Sequence, residues 1–185
     1  FDSNSHLASI TTTPSTINTL IENKSAVTVS GGTIILSAKA LNTLVSGLIK
    51  QSGTLNASDM GTKLVSVGGR ILIDGDSVHM ATNSETLAQG TSGGGEVKII
   101  ASQSLTLESQ SKINVSAIDN GNGGSIKTSA PQTLLAGQLE AHGGGITGKG
   151  GLIETQADNL NITDTAQVAA ISRNQVNAEG QWIVN

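Results

Sequence analysis

The chain has 185 residues, of which 23 are glycine, 1% are aromatic and 13% are charged, with a formal net charge of −4 and no cysteine. The acidic balance excludes a basic stripe for nucleic acid, the missing cysteines exclude disulfides and zinc–thiolate sites, and no apolar stretch approaches the ~20 residues of a membrane-spanning helix. A core almost without aromatic side chains has to be narrow and regular, filled by Val, Ile, Leu, Ala and Thr.

No basic segment followed by an apolar run opens the sequence, and the expectation is a mature or excised piece of a longer chain. Residues 1–30 lack a glycine pair and are expected to form an irregular first coil or N-terminal strands around Ile17, Val27 and Val29. From there adjacent glycines recur as Gly31-Gly32, Gly68-Gly69, Gly94-Gly95, Gly123-Gly124 and Gly150-Gly151, at intervals of 37, 26, 29 and 27 residues. A period in the twenties is the signature of a solenoid.

Each pair is followed by residues that alternate in and out, the pattern of a strand with one buried face. In chain order the first strands present Ile34, Leu36 and Ala38; Ile71, Ile73 and Gly75; Val97, Ile99 and Ala101; Ile126, Thr128 and Ala130; and Ile153, Thr155 and Ala157. The small third residue marks a corner. Second strands follow at Val78 and Met80, Leu105 and Leu107, Leu134 and Ala136, and Leu160 and Ile162. Third strands are read at Leu87 and Gln89, Ile113 and Val115, Leu139 and Ala141, and Ala166, Val168 and Ala170.

Three strands per 26–29 residues, stacked repeat on repeat, predict an all-β, three-sided solenoid over 31–185: a right-handed parallel β-helix, the hand following from the β-crossover rule. The glycine pairs are read as structural turns that need positive φ or close backbone approach. The first interval is about ten residues too long, so an excursion outside the coil is expected over 44–62, and Lys50, Gln51, Asn56 and Asp59 within it are the candidate binding residues.

Other chemistry is thinly represented. Asp74, Asp76, Glu96 and Glu154 are the carboxylates that could cluster, with Glu96 and Glu154 read as sharing an outward position. His6, His79 and His142 fall at unrelated points of the repeat with no metal-ligand spacing. The stretches 74–76 and 119–124 carry Asp, Asn and Gly in turn-forming order and not in a calcium-binding nonapeptide repeat. No metal, cofactor or catalytic residue is assigned. Asn-X-Ser/Thr sites stand at Asn23, Asn56, Asn114 and Asn161.

The run "GGLIETQADNLNITDTAQVAAISRNQVNAEGQWIVN" (150–185) resembles the repeat of the β-helical N-terminal region of two-partner-secretion exoproteins, the filamentous haemagglutinin and high-molecular-weight adhesin family of Gram-negative bacteria. Gly150, Gly151, Ile153, Glu154, Thr155, Leu160, Gly180, Trp182 and Ile183 fit its outline. "GGTIILSAKALNTLVSGLI" (31–49) is similar to another of its coils. The Asn-Pro-Asn motifs of the family's secretion domain are absent.

The resemblance implies a β-helical shaft in a large secreted or surface-exposed adhesin, exported by an outer-membrane β-barrel transporter and serving attachment and virulence. The segment itself would be monomeric, with an unknown host-cell or surface receptor. Trp182 is expected to pack at the end of the rod. The alternatives are a part of a contact-dependent toxin-delivery or haem-acquisition exoprotein, and, in a different class, a polysaccharide-cleaving β-helix enzyme. A groove of converging Asp, Arg or Lys side chains would mark the last.

Overall fold

The computed structural model describes residues 7–11, 19–39, 47–61, 65–174 and 178–185. Every described element is a strand, and every pairing between them is parallel. The first coil is β1 (Leu7–Thr11), β2 (Thr19–Asn23) and β3 (Ala26–Thr28); the second is β4 (Thr33–Ala38), β5 (Gly47–Gln51) and β6 (Thr54–Asn56). In the third and fourth coils one long strand turns the first corner without a break, giving β7 (Arg70–Met80) with β8 (Glu85–Leu87), and β9 (Glu96–Leu107) with β10 (Lys112–Asn114). The fifth is β11 (Ser125–Ser129), β12 (Gln132–Leu135) and β13 (Gln138–Glu140), and the sixth β14 (Leu152–Gln156), β15 (Asn159–Ile162) and β16 (Gln167–Ala169). Strand β17 (Gln181–Val184) begins one more rung.

Stacked, these coils form a β-solenoid of about six turns with three faces. At roughly 4.8 Å per rung the ladder is about 30 Å tall. On the first face the order β1-β4-β7-β9-β11-β14-β17 aligns Ala8, Ile34, Ile71, Val97, Ile126, Ile153 and Trp182 in one inward column. Beside it run Ile10, Leu36, Ile73, Ile99, Thr128, Thr155 and Val184. Most of these side chains are fully buried, each full burial of an Ile or Leu contributing about 1.5–3 kcal/mol.

The expectation for residues 1–30 is an irregular first coil or N-terminal strands; their described strands lie in register with the second coil, β1 pairing β4. Strand β2 pairs β5 and β3 pairs β6; Ile17 lies outside the described residues. The expected excursion over 44–62 is corrected for residues 47–61. Strand β5 is a wall strand between β2 and β7, and β6 lies between β3 and β8. The alternation Ile49, Gln51, Leu55, Ala57 faces inward, which is why this stretch joins the ladder.

Two inward readings shift by one residue. On the second face Thr133 and Leu135, not Leu134 and Ala136, stack on Leu105 and Leu107. The cause is the corner: β9 carries an irregularity against β7 between Gly75 and Ser77, so counting from the longer fourth coil misplaces the fifth. On the third face Thr86, not Leu87, stacks between Leu55 and Ile113, with Ala88 buried beyond it. A threonine fills the interior there while the leucine faces out, half-buried. The second corner is a tight turn repeated in the stack, closed by Ser84 N–H to Ala81 O, Ser111 N–H to Glu108 O and Ala166 N–H to Thr163 O at 3.0, 3.1 and 3.0 Å.

Candidate functional site

The glycine pairs form two ladders up one edge of the rod. A Cβ on Gly69, Gly95, Gly124, Gly151 or Gly180 would strike the carbonyl oxygen of Gly32, Gly69, Gly95, Gly124 or Gly151 respectively in the coil before. The first members behave alike: a Cβ on Gly68, Gly94, Gly123 or Gly150 would strike the carbonyl of Ala88, Val115, Ala141 or Ala170. Close approach of backbone to backbone is therefore the reason for glycine here. Only Gly31, with φ +61°, adds a left-handed conformation.

The four candidate binding residues are not brought together. Lys50 faces out from the second face and pairs with Glu22 at 3.5 Å; Glu22 also holds Lys24 at 2.9 Å, and Lys24 is the main reason its carboxyl titrates below the usual range. Gln51 is fully buried: its Oε1 accepts from Asn23 Nδ2 at 2.8 Å, and its Nε2 donates to Gly53 O and Glu85 O. Asn56 lies on the third face, where its Oδ1 accepts from Ser58 N–H at 2.9 Å. Asp59 stands beyond that face and accepts from Gly61 N–H at 3.1 Å.

Many of the acidic side chains are likewise engaged one by one, mostly in joining neighbouring coils. Arg70 meets Glu96 at 2.7 Å, Lys127 meets Glu154 at 3.3 Å and Lys112 meets Glu140 at 3.0 Å. Asp74 pairs with Lys39 at 2.9 Å, while Asp76 accepts from Gly47 N–H and Ser102 Oγ at 2.7 and 2.8 Å. Glu96 and Glu154 do not share a position. Glu96 lies in register with Arg70 and Ser125, Glu154 with Lys127. Among the described residues no three His, Asp or Glu side chains converge on one point.

Two histidines have defined settings. His79 Nε2 lies 2.8 Å from Glu108 Oε1, and Thr82 donates to Glu108 Oε2 from both its hydroxyl and its N–H at 2.7 Å. The Thr82 hydroxyl first, then its N–H and His79, hold the Glu108 carboxyl down to about 2. His142 Nδ1 accepts from Ile171 N–H at 3.3 Å, and burial, followed by the Arg173 charge, pushes its titration below the ordinary value.

Of the four Asn-X-Ser/Thr sites, Asn23 and Asn114 are buried with their amide nitrogens engaged, Asn114 donating to Glu140 Oε2 at 2.6 Å. Asn161 is exposed on the second face. It borders an open, neutral groove of about 410 Å³ lined by Leu134, Ser104, Thr106, Gln132 and Asn159 among others. Sequence reasoning did not single out this groove; the one-residue misreading of the second face hid which side chains point outward. Trp182 caps the inward column above Ile153, 39% exposed, and donates from Nε1 to Thr155 Oγ1 at 3.2 Å.

These features define a parallel β-solenoid with ion pairs such as Lys39–Asp74, Arg70–Glu96, Lys112–Glu140 and Lys127–Glu154 joining neighbouring coils. No known protein family and no curated protein matches the chain. Among solved structures it is similar to the HMW1 secretion domain from Haemophilus influenzae, with a TM-score of 0.61 and 22% identity over 90% of this chain. The chain covers 49% of that domain, about half its length, and the likeness is one of fold.

Proposed function

We propose that the chain is a β-helical shaft segment of a large secreted or surface-exposed bacterial adhesin, with a structural and display role in attachment. The observation that supports it most is the unbroken parallel ladder on the first face, in which seven rungs stay in register from β1 to β17. Such a ladder makes a stiff spacer, each coil needing only its two neighbours. The fold shared with the HMW1 secretion domain, together with the resemblance of residues 150–185 to two-partner-secretion exoproteins, supports export through an outer-membrane β-barrel transporter and a location outside the cell. Acids held in separate pairs support a role that is not catalytic.

The test places the chain on a bacterial surface, with and without a reporter binding domain at its tip, and measures binding to cell monolayers. The shaft role predicts no saturable binding by the chain alone, and capture through the reporter. Saturable, competable binding without the reporter, or depolymerisation of a polysaccharide panel, overturns it.

A further inference from the structure

The sequence holds two Asn-Gly steps, Asn120-Gly121 and Asn122-Gly123, side by side at the corner between the fourth and fifth coils. Asn-Gly is the peptide step most open to attack on the asparagine amide by the following backbone nitrogen, because glycine has no side chain to obstruct the approach. The two steps differ in how their atoms are held.

Asn122 is clamped by one residue of the next coil. Its Oδ1 accepts from Lys149 N–H at 3.0 Å, and the N–H of Gly123, the nitrogen that would attack, donates to Lys149 O at 2.9 Å. Asn120 is exposed, and its Oδ1 accepts a single hydrogen bond of 3.3 Å from the Thr147 hydroxyl. The N–H of Gly121 donates to no acceptor among the described residues. The surrounding loop is docked through other atoms, Asn120 N–H on Thr91 O at 2.9 Å and Gly144 N–H on Gly121 O at 3.0 Å. The attacking nitrogen is thus free and its target carbonyl lies in solvent with one hydroxyl donor on it.

We propose that Asn120 is a self-modification site, converted through Gly121 to aspartate and isoaspartate, while Asn122 is protected by its Lys149 clamp. The Gly121 nitrogen forms a bond to Asn120 Cγ, the Cγ–Nδ2 bond breaks, and the Gly121 amide proton leaves with Nδ2 as ammonia. One water then opens the resulting succinimide at either carbonyl. Each event adds a negative charge beside the exposed Asp119. The isoaspartate form also lengthens the main chain by one carbon between the Thr91 and Gly144 contacts, loosening the loop stack at this corner.

The experiment ages the purified chain in neutral buffer at body temperature, folded and in denaturant. Peptide mass spectrometry and isoaspartyl methyltransferase labelling then follow each asparagine. The folded chain is expected to convert Asn120 at least about tenfold faster than Asn122, which is about 1.4 kcal/mol and the size of one protecting hydrogen bond. In denaturant the two rates should converge, and Asn120→Gln should remove the folded-state product. Equal folded rates, a faster Asn122, or no conversion of Asn120 while the denatured chain reacts would overturn the proposal.

Discussion

Asn23 Nδ2 donates to Gln51 Oε1 at 2.8 Å inside the first two coils, at the foot of an inward column that continues upward as Met80, Leu107, Leu135 and Ile162. An amide pair stands where the rest of the column is apolar. Both side chains are enclosed, and the Gln51 amide nitrogen is shared between two carbonyls.

Breaking that pair from one side leaves a buried amide without its partner. Gln51→Leu is expected to destabilise the chain by about 1–3 kcal/mol. The double variant Asn23→Leu/Gln51→Leu, which makes the column apolar throughout, is expected to recover most of the loss. Urea midpoints of the four chains of this cycle give the coupling. Strictly additive losses would mean that the two amides act independently.

Thr86 is enclosed between Leu55 and Ile113, and its hydroxyl has no hydrogen-bond partner among the described residues. Thr86→Val keeps the shape and removes the buried hydroxyl. An increase in stability of about 1 kcal/mol is expected, read as a higher melting temperature. A lower melting temperature would show that the hydroxyl is satisfied in solution.

Two glycines two positions apart, Gly93 and Gly95, should respond very differently. Gly95→Ala drives its Cβ into the backbone at Gly69 and Gly68, which cannot move without shifting a coil; a loss on the order of 3 kcal/mol is expected. At Gly93 the new methyl would meet the two Val67 methyls at an ordinary 3.6 and 3.7 Å and Asn122 O at 4.0 Å. Gly93→Ala should fall within about 0.5 kcal/mol of the parent. Thermal melts of the two variants check the contrast.

Acid should loosen the rod in two stages. The depressed His142 stays neutral in the folded state while the unfolded chain takes up its proton near 6.5. Its contribution is therefore complete above that pH and declines as pH falls through it. Protonation in the folded state also turns Nδ1 from acceptor to donor against Ile171 N–H. The matching readouts are the His142 ring shifts and the hydrogen exchange of the Ile171 amide. Glu108, held to about 2 against an ordinary 4.5, adds stability that is full above 4.5 and lost as pH falls towards 2. This second effect is small because both Glu108 and His79 remain in contact with solvent, and Glu108→Gln should flatten that part of the pH profile.

The first face was legible in the sequence because most inward positions on it are large aliphatics and the second to sixth coils each restart from a glycine pair. The other two faces were less legible where polar residues took inward places: Thr86, Thr133 and Gln51 occupy the column, while Leu87 and Leu134 face outward. Hydrophobicity marks the core only when the core is apolar, and here register prevailed over side-chain chemistry. The binding candidates on 47–61 came from reading a long repeat as a protrusion. The ladder shows Lys50, Gln51, Asn56 and Asp59 as parts of, or next to, the wall. The cross-coil ion pairs were not legible at all, since they depend on which coil lies next to which.

The glycine ladder bears on how such a rod changes over generations. Each second glycine rests on the carbonyl of the same glycine one coil earlier, so the joint at Gly95 on Gly69 is chemically the joint at Gly124 on Gly95. A recombination event that cuts and rejoins two coding copies at a glycine pair removes or duplicates a whole coil and rebuilds an identical seam. Length then varies in increments of one rung, about 4.8 Å, and whole-coil gain or loss is the form of insertion and deletion this architecture accepts.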